Sequence, residues 1–247
     1  MRLTRLIIVL PLLAACASRG PAIHQMDADA LYAYGMEKLE EREWGEAITA
    51  FERFTLIFPA HGRSAEARYR LGEAYVGRKE YVTAAMEFNR LASDYPAGPW
   101  ADDARFQVCQ AYHRLAPRAP LDQEYTRTAI GHCESLIAYY PDSEHVEPAQ
   151  LIRTELVNRL AEKDYLTAER YETRTRCPDC ALIYYQQIAE NFAMTPWAPR
   201  ALLRMHRIYL QLEYEQEAEA ARQMLIRDFP ESPEAKQLSG VTITTGS

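Results

Sequence analysis

The chain has 247 residues, 28 of them basic and 35 acidic, for a net charge of −7 at pH 7. That balance argues against non-specific binding to nucleic acid or to an anionic membrane surface. Nearly half of the residues are hydrophobic, and the length is enough to bury a substantial core in one or two domains.

Arg2 and Arg5 precede an almost wholly apolar run from Leu6 to Ala15 that holds neither Lys nor Arg. A helix needs about 20 residues to cross a bilayer. This run is too short, and residues 1–15 read as a secretory signal with a small-residue cleavage site. Its end, Leu13-Ala14-Ala15-Cys16, resembles a bacterial lipobox. The resemblance implies cleavage before Cys16 and lipid on its thiol and new amino group. Two or more acyl chains anchor stably, at about 0.8 kcal/mol per buried CH₂. The mature chain is therefore expected to be anchored to a membrane and not to span it. In lipoproteins of this kind an Asp after the Cys commonly favours inner-membrane retention in enterobacteria. Ala17 stands there, so the resemblance implies the periplasmic face of the outer membrane. Without residues 1–15 the balance becomes 26 basic against 35 acidic residues, or −9. Residues 16–27 read as a lipidated tether, because Ser18 to Asp27 has no apolar periodicity.

The body repeats. Gly35, Ala47, Phe51, Phe54 and Pro59 recur as Gly72, Ala84, Phe88, Leu91 and Pro96, with identical gaps and an offset of 37 residues. A third copy reads Cys109, Tyr112, Ala129, Cys133, Leu136 and Pro141, its two helices separated by an insert near Arg114 to Asp122. Pro117 and Pro120 mark that insert as a loop. Glu147 to Glu162 reads as one longer helix. Tyr165 to Thr175 and then Ala181 to Asn191 form a degenerate fourth copy, with Ala181, Tyr185 and Ile188 keeping its second-helix spacing. The fifth is His206, Tyr209, Ala218, Leu225 and Pro230. An aromatic-proline pair closes four copies: Phe58-Pro59, Tyr95-Pro96, Tyr140-Pro141 and Phe229-Pro230. Ala193 replaces the proline after Phe192, which predicts a less regular turn there.

This is the tetratricopeptide pattern, Leu71-Gly72 and Tyr75 being near its ideal. Gly and Ala allow two helices to cross closely, while aromatic and Leu side chains fill the gaps. One hairpin cannot bury its apolar face alone, so neighbours must stack. The expected fold is all-α, a right-handed superhelical solenoid of about five tetratricopeptide-like hairpins over residues 28–238, with a flexible tail at 239–247.

Lipobox, tether, repeats and length together resemble the tetratricopeptide lipoprotein of the bacterial outer-membrane β-barrel assembly machine, the BamD family. Arg159 to Asp164, followed by Tyr165, Ala168 and Tyr171, looks like that family's approach to its fourth repeat. The resemblance implies a non-catalytic accessory subunit without a cofactor. Its C-terminal repeats would bind the periplasmic domains of the barrel-assembly protein. Its N-terminal repeats would engage unfolded outer-membrane barrel substrates, and other assembly-machine lipoproteins are implied as further partners. Cys177-Pro-Asp-Cys180 departs from the family's fourth repeat, so its contact residues do not carry over. A rival is a periplasmic scaffold or regulator of cell-wall or envelope enzymes, which uses similar repeats.

In such folds the first helix of each hairpin lines the groove. The fifth position is Tyr32, Tyr69 and Phe106, flanked by Met36 and Leu39, Glu73 and Val76, Gln110 and His113. The rings either anchor an extended peptide or pack between adjacent helices. Trp100 and Trp197 follow repeat turns and read as packing residues. Glu213, Glu215, Glu217 and Glu219 read as the polar face of a terminal repeat.

Beyond Cys16, four cysteines remain in an oxidising compartment, where pairing is favoured. Cys109 and Cys133 fall at small core positions of one repeat, either bridged or as buried small hydrophobes. Cys177 and Cys180 have dithiol spacing without a βαβ context, and one such pair is a weak zinc signal, so a local disulfide is the reading. The six His are scattered, and no catalytic constellation, metal motif or Gly-rich phosphate loop is visible.

Overall fold

In the computed structural model, which describes residues 22–239, helices pair in chain order. The hairpins are α1 (Ala28–Glu40) with α2 (Trp44–Ile57), α3 (Ser64–Gly77) with α4 (Tyr81–Asp94), and α5 (Ala101–Leu115) with α6 (Glu124–Tyr139). Two more follow, α7 (Val146–Arg170) with α8 (Pro178–Asn191) and α9 (Trp197–Gln211) with α10 (Glu215–Asp228). The short α11 (Pro233–Ser239) covers the end. Each helix packs chiefly on its neighbours in sequence. Five hairpins stacked in this way make a tetratricopeptide-like solenoid, and the described residues contain no strand. The signal segment, Cys16, the tether up to residue 21 and the tail from 240 lie outside the described residues.

The close crossings follow from the repeated glycines. A Cβ on Gly35 would lie 2.9 Å from the Phe51 ring, and one on Gly72 would lie 2.6 Å from Phe88. Both rings are fully buried between the helices of their own hairpin. In the third repeat Cys109 takes the glycine's place and Cys133 the phenylalanine's. The two form a disulfide with Cα atoms 5.0 Å apart. The bridge thus fills the volume that a ring fills in the first two repeats. Around it Phe106, Leu136 and Ala149 form a small cluster, separate from the larger cores of the N- and C-terminal repeats.

The turns inside the first, second and fifth hairpins share one device. Arg42, Lys79 and Glu213 all sit at positive φ, near 60°, without being glycine. The next residue's N–H bonds back five residues, as in Glu80 to Tyr75 O at 2.9 Å and Tyr214 to Tyr209 O at 2.9 Å. This satisfies carbonyls that the helix end would leave bare.

Three expectations are corrected. First, the fourth-repeat turn is regular. Thr195 N–H donates to Phe192 O at 2.9 Å, as His61 does to Phe58 O and Gly98 to Tyr95 O. Proline contributed only a fixed φ there, and the Thr195 hydroxyl adds a 2.7 Å bond to the same carbonyl. Second, the segments Glu147–Glu162 and Tyr165–Thr175 are not separate helices. Pro148 sits in the first turn, where a helix tolerates it, and no Gly or Pro follows before Arg176, so α7 runs unbroken for 25 residues into a π-helical turn, Tyr171–Thr175. Left-handed Arg176 ends it. Third, the end of the expected tether is part of the first repeat. Ile23–Gln25 forms a 3₁₀ turn, Ile23 and Met26 pack on the core, and Asp27 caps α1 by accepting from Ala30 N–H at 2.8 Å. Among the described residues no helix is long and apolar enough to cross a membrane.

Candidate functional site

The three fifth-position rings lie behind the groove, not in it. Tyr32, Tyr69 and Phe106 are 8%, 7% and 8% exposed. Tyr32 meets Phe51 and Phe54 edge-on at 6.0 and 5.8 Å, under the Arg63 guanidinium at 5.0 Å. Tyr69 lies 5.3 Å from Phe88 and 4.9 Å from Trp100. Phe106 stacks on His145 at 4.6 Å. Tyr165 adds a fourth rung, 5.4 Å from Tyr185 and 5.1 Å from Trp197. Each ring is clamped between its own hairpin and the residue leading into the next repeat. Arg63, Trp100, His145 and Trp197 are thus one structural position. Burial pushes the Tyr69 phenol up to about 12, with Glu73 adding to it. Burial does the same for Tyr32, to about 12, with Glu66 adding. Both hydroxyls stay neutral at physiological pH.

Five of the nine predicted groove residues do come together. Met36, Leu39, Glu73, Val76 and Gln110 line a cleft of about 550 Å³ across α1, α3 and α5. Its apolar floor continues into Trp44, whose indole packs on Gly77 so tightly that a Cβ there would approach to 2.6 Å. Glu40, Arg70, Gln107 and Arg114 supply the polar rim. Arg70 bridges Glu73 at 2.9 Å and Glu66 at 3.4 Å, and lies 5.1 Å over Trp100. His113 is drawn away toward α7, with Nε2 3.1 Å from Glu155. The sequence pattern missed Trp44, Arg70 and Arg114. Trp44 starts a second helix, and the two Arg fall outside the positions that generic repeats use. The apolar floor and mixed rim suit an extended peptide: side chains find burial, and polar groups find partners at the edge.

A second cleft, about 490 Å³, opens where the third-repeat insert meets the end of α7. Pro120, Leu166 and Thr167 form part of its wall, and Lys163, Arg170 and Arg174 bring three positive charges against Glu169. It is a basic island in a chain of net charge −7. Next to it, Glu172 fixes the π turn. Its carboxylate accepts from Arg204 at 2.7 Å and from the buried Tyr185 hydroxyl at 3.0 Å. Cys177 and Cys180 are joined by a disulfide at the start of α8. Glu213, Glu215 and Glu217 are exposed, and Glu219 pairs with Arg222 at 3.2 Å. Among the described residues no group of three or more His, Cys, Asp or Glu is placed to hold a metal ion.

Among the described residues the repeat scaffold thus carries a cleft with an apolar floor in its N-terminal repeats and a basic cleft where the third-repeat insert meets α7. The profile of the outer membrane lipoprotein family YfiO matches residues 24–225, so the chain belongs to that family. Solved structures similar to it include the TPR2AB-domain:pHSP90 complex of yeast Sti1, with 16% identity, 84% of this chain and 80% of that one covered, and a TM-score of 0.42. PilF of Pseudomonas aeruginosa is 16% identical over 87% of this chain and 82% of its own, with a TM-score of 0.38. A thermophilic TPR protein of Thermus thermophilus is 17% identical over 87% and 97%, with a TM-score of 0.39. No curated protein sequence matches the chain.

Proposed function

We propose that this chain is a non-catalytic accessory subunit and scaffold for the assembly and insertion of β-barrel proteins into the outer membrane. The observation that carries the reading is the family match, which runs from residue 24 into α10 and so takes in all five hairpins. Lipid on Cys16 holds the protein on the periplasmic face. The C-terminal repeats dock the periplasmic domains of the barrel-assembly protein, and the basic cleft of Lys163, Arg170 and Arg174 supports a docking surface that takes acidic side chains. The cleft of the first three repeats takes an extended segment of an unfolded barrel substrate. Its apolar floor of Met36, Leu39, Trp44 and Val76 supports that role.

The test is a mild-detergent pulldown of the lipidated protein followed by mass spectrometry. Stoichiometric recovery of the barrel-assembly protein is the expected result. Recovery of cell-wall enzymes without it would replace this reading with that of an envelope-enzyme scaffold.

A further inference from the structure

We propose that the closing end of the first repeat rests on the bilayer that holds the lipidated Cys16, with Leu56 and Ile57 seated in its interfacial layer. The inference rests on the reading of Cys16 as the acylated residue and deepens it from a tether to an orientation.

The length of chain comes first. From Cys16 to Ala22, the first described residue, is six Cα steps. Fully extended they span at most roughly 21 Å. That is about the length of α2 itself, 14 residues long. The first hairpin is therefore held within about its own length of the membrane surface.

The point of exit is fixed as well. The turn Ile23–Gln25 lies against α2, where Arg53 Nη2 donates to His24 O at 2.9 Å. Leu56 and Ile57 lie three and four residues on, on the same helix face as Arg53. They are 79% and 44% exposed, so packing inside the protein leaves most of Leu56 and nearly half of Ile57 uncovered. The segment Leu56-Ile57-Phe58-Pro59-Ala60 carries no charge, and all of it but Phe58 is exposed.

Comparison between repeats sharpens the point. The two residues before the closing aromatic are Ser93-Asp94 in the second repeat, Ala138-Tyr139 in the third, Glu190-Asn191 in the fourth and Arg227-Asp228 in the fifth. The repeat fold asks for nothing aliphatic there. Only the copy next to the anchor has an aliphatic pair, Leu56-Ile57. Shallow insertion of apolar side chains at the headgroup boundary is the behaviour expected of such a patch beside a lipid anchor.

A diazirine amino acid in place of Leu56, and separately in place of Met194, tests this in the full lipidated chain. Met194 is 97% exposed, on the fourth repeat, and serves as the control. Each protein is reconstituted into vesicles of phosphatidylethanolamine and phosphatidylglycerol and irradiated, and lipid adducts are counted by mass. Both sites are exposed, so neither replacement disturbs the core. Lipid adducts at position 56 roughly ten-fold above position 194 are expected. Equal yields, no lipid adduct at 56, or an adduct at 56 to a second copy of the chain would overturn the orientation while leaving the anchor intact. Intact mass is read first. A Cys16 without acyl chains would remove the anchor and this inference together.

Discussion

Gly72→Ala places a methyl carbon 2.6 Å from two atoms of the Phe88 ring. Carbon atoms at rest stand about 3.5–4.0 Å apart, so the ring has to retreat by about 1 Å. It has no room to do so, being fully buried with Tyr69 at 5.3 Å and Trp100 beyond it. Overpacking of this kind costs about 1–3 kcal/mol. The better helix propensity of Ala returns about 1 kcal/mol, leaving a net loss of up to about 2 kcal/mol, near 1 kcal/mol at the middle of the range. Gly131→Ala is the matched control. Gly131 lies inside α6, exposed, with nothing within 4 Å of a new Cβ. Only the propensity term acts there, and a gain of about 0.5–1 kcal/mol follows. Urea denaturation followed by circular dichroism separates the two by about 2 kcal/mol. Gly72→Ala/Phe88→Leu removes the clash, so the pair is expected to couple by more than about 0.5 kcal/mol. If Gly72→Ala tracks Gly131→Ala, the close crossing is not what holds glycine in the repeat.

The remaining tests concern the bridge, the cleft and one histidine. Cys109→Ser/Cys133→Ser opens a loop of 24-residue separation and is expected to cost about 3.5 kcal/mol by the chain-entropy account. Cys109→Gly/Cys133→Phe rebuilds the crossing of the first two repeats and recovers a good part of that in the same melts; equal loss in both pairs would refute the equivalence. Met36→Asp/Val76→Asp puts two charges on the cleft floor and is expected to weaken binding of a barrel-derived peptide at least ten-fold, read by fluorescence anisotropy at a temperature where circular dichroism shows the variant folded. Unchanged binding would move the substrate elsewhere. Burial, and then Arg105, lower the pKa of His132, which stacks on Tyr112 at 5.1 Å. The unfolded chain therefore binds more protons there, so stability falls as pH drops through about 6.5. His132→Phe keeps the stack and removes the titration, and its melting temperature should fall less between pH 7 and pH 5 than that of the native chain. An identical slope would show that other groups carry the effect.

What the sequence made legible is what repetition enforces. Gly35, Gly72, Phe51 and Phe88 recur because two helices meet at one distance in each copy, and a regular spacing states that requirement openly. The same regularity carried Cys109 and Cys133 to the right position in the alignment, though not the reason for them, since a disulfide and a Gly–Phe crossing share a volume and not a composition. Residues outside the repeat register were harder to read. Trp44 and Arg114 reach the cleft from the ends of their helices, and spacing along one helix does not say which neighbour the next hairpin will bring alongside. The break expected between Glu162 and Tyr165 failed for a related reason. The alignment asked for a helix start there, but the backbone needs a residue that stops a helix, and Lys163-Asp164 does not supply one. The chain continued instead to Arg176, absorbing the surplus as a π turn that Glu172, Arg204 and Tyr185 hold in place. Repeat position decides what a side chain packs against inside its own hairpin. Where α7 runs long, and where the tether meets α2, the deciding neighbours come from outside the pattern, and those are the places where this chain carries its basic cleft and its exposed Leu56-Ile57 pair.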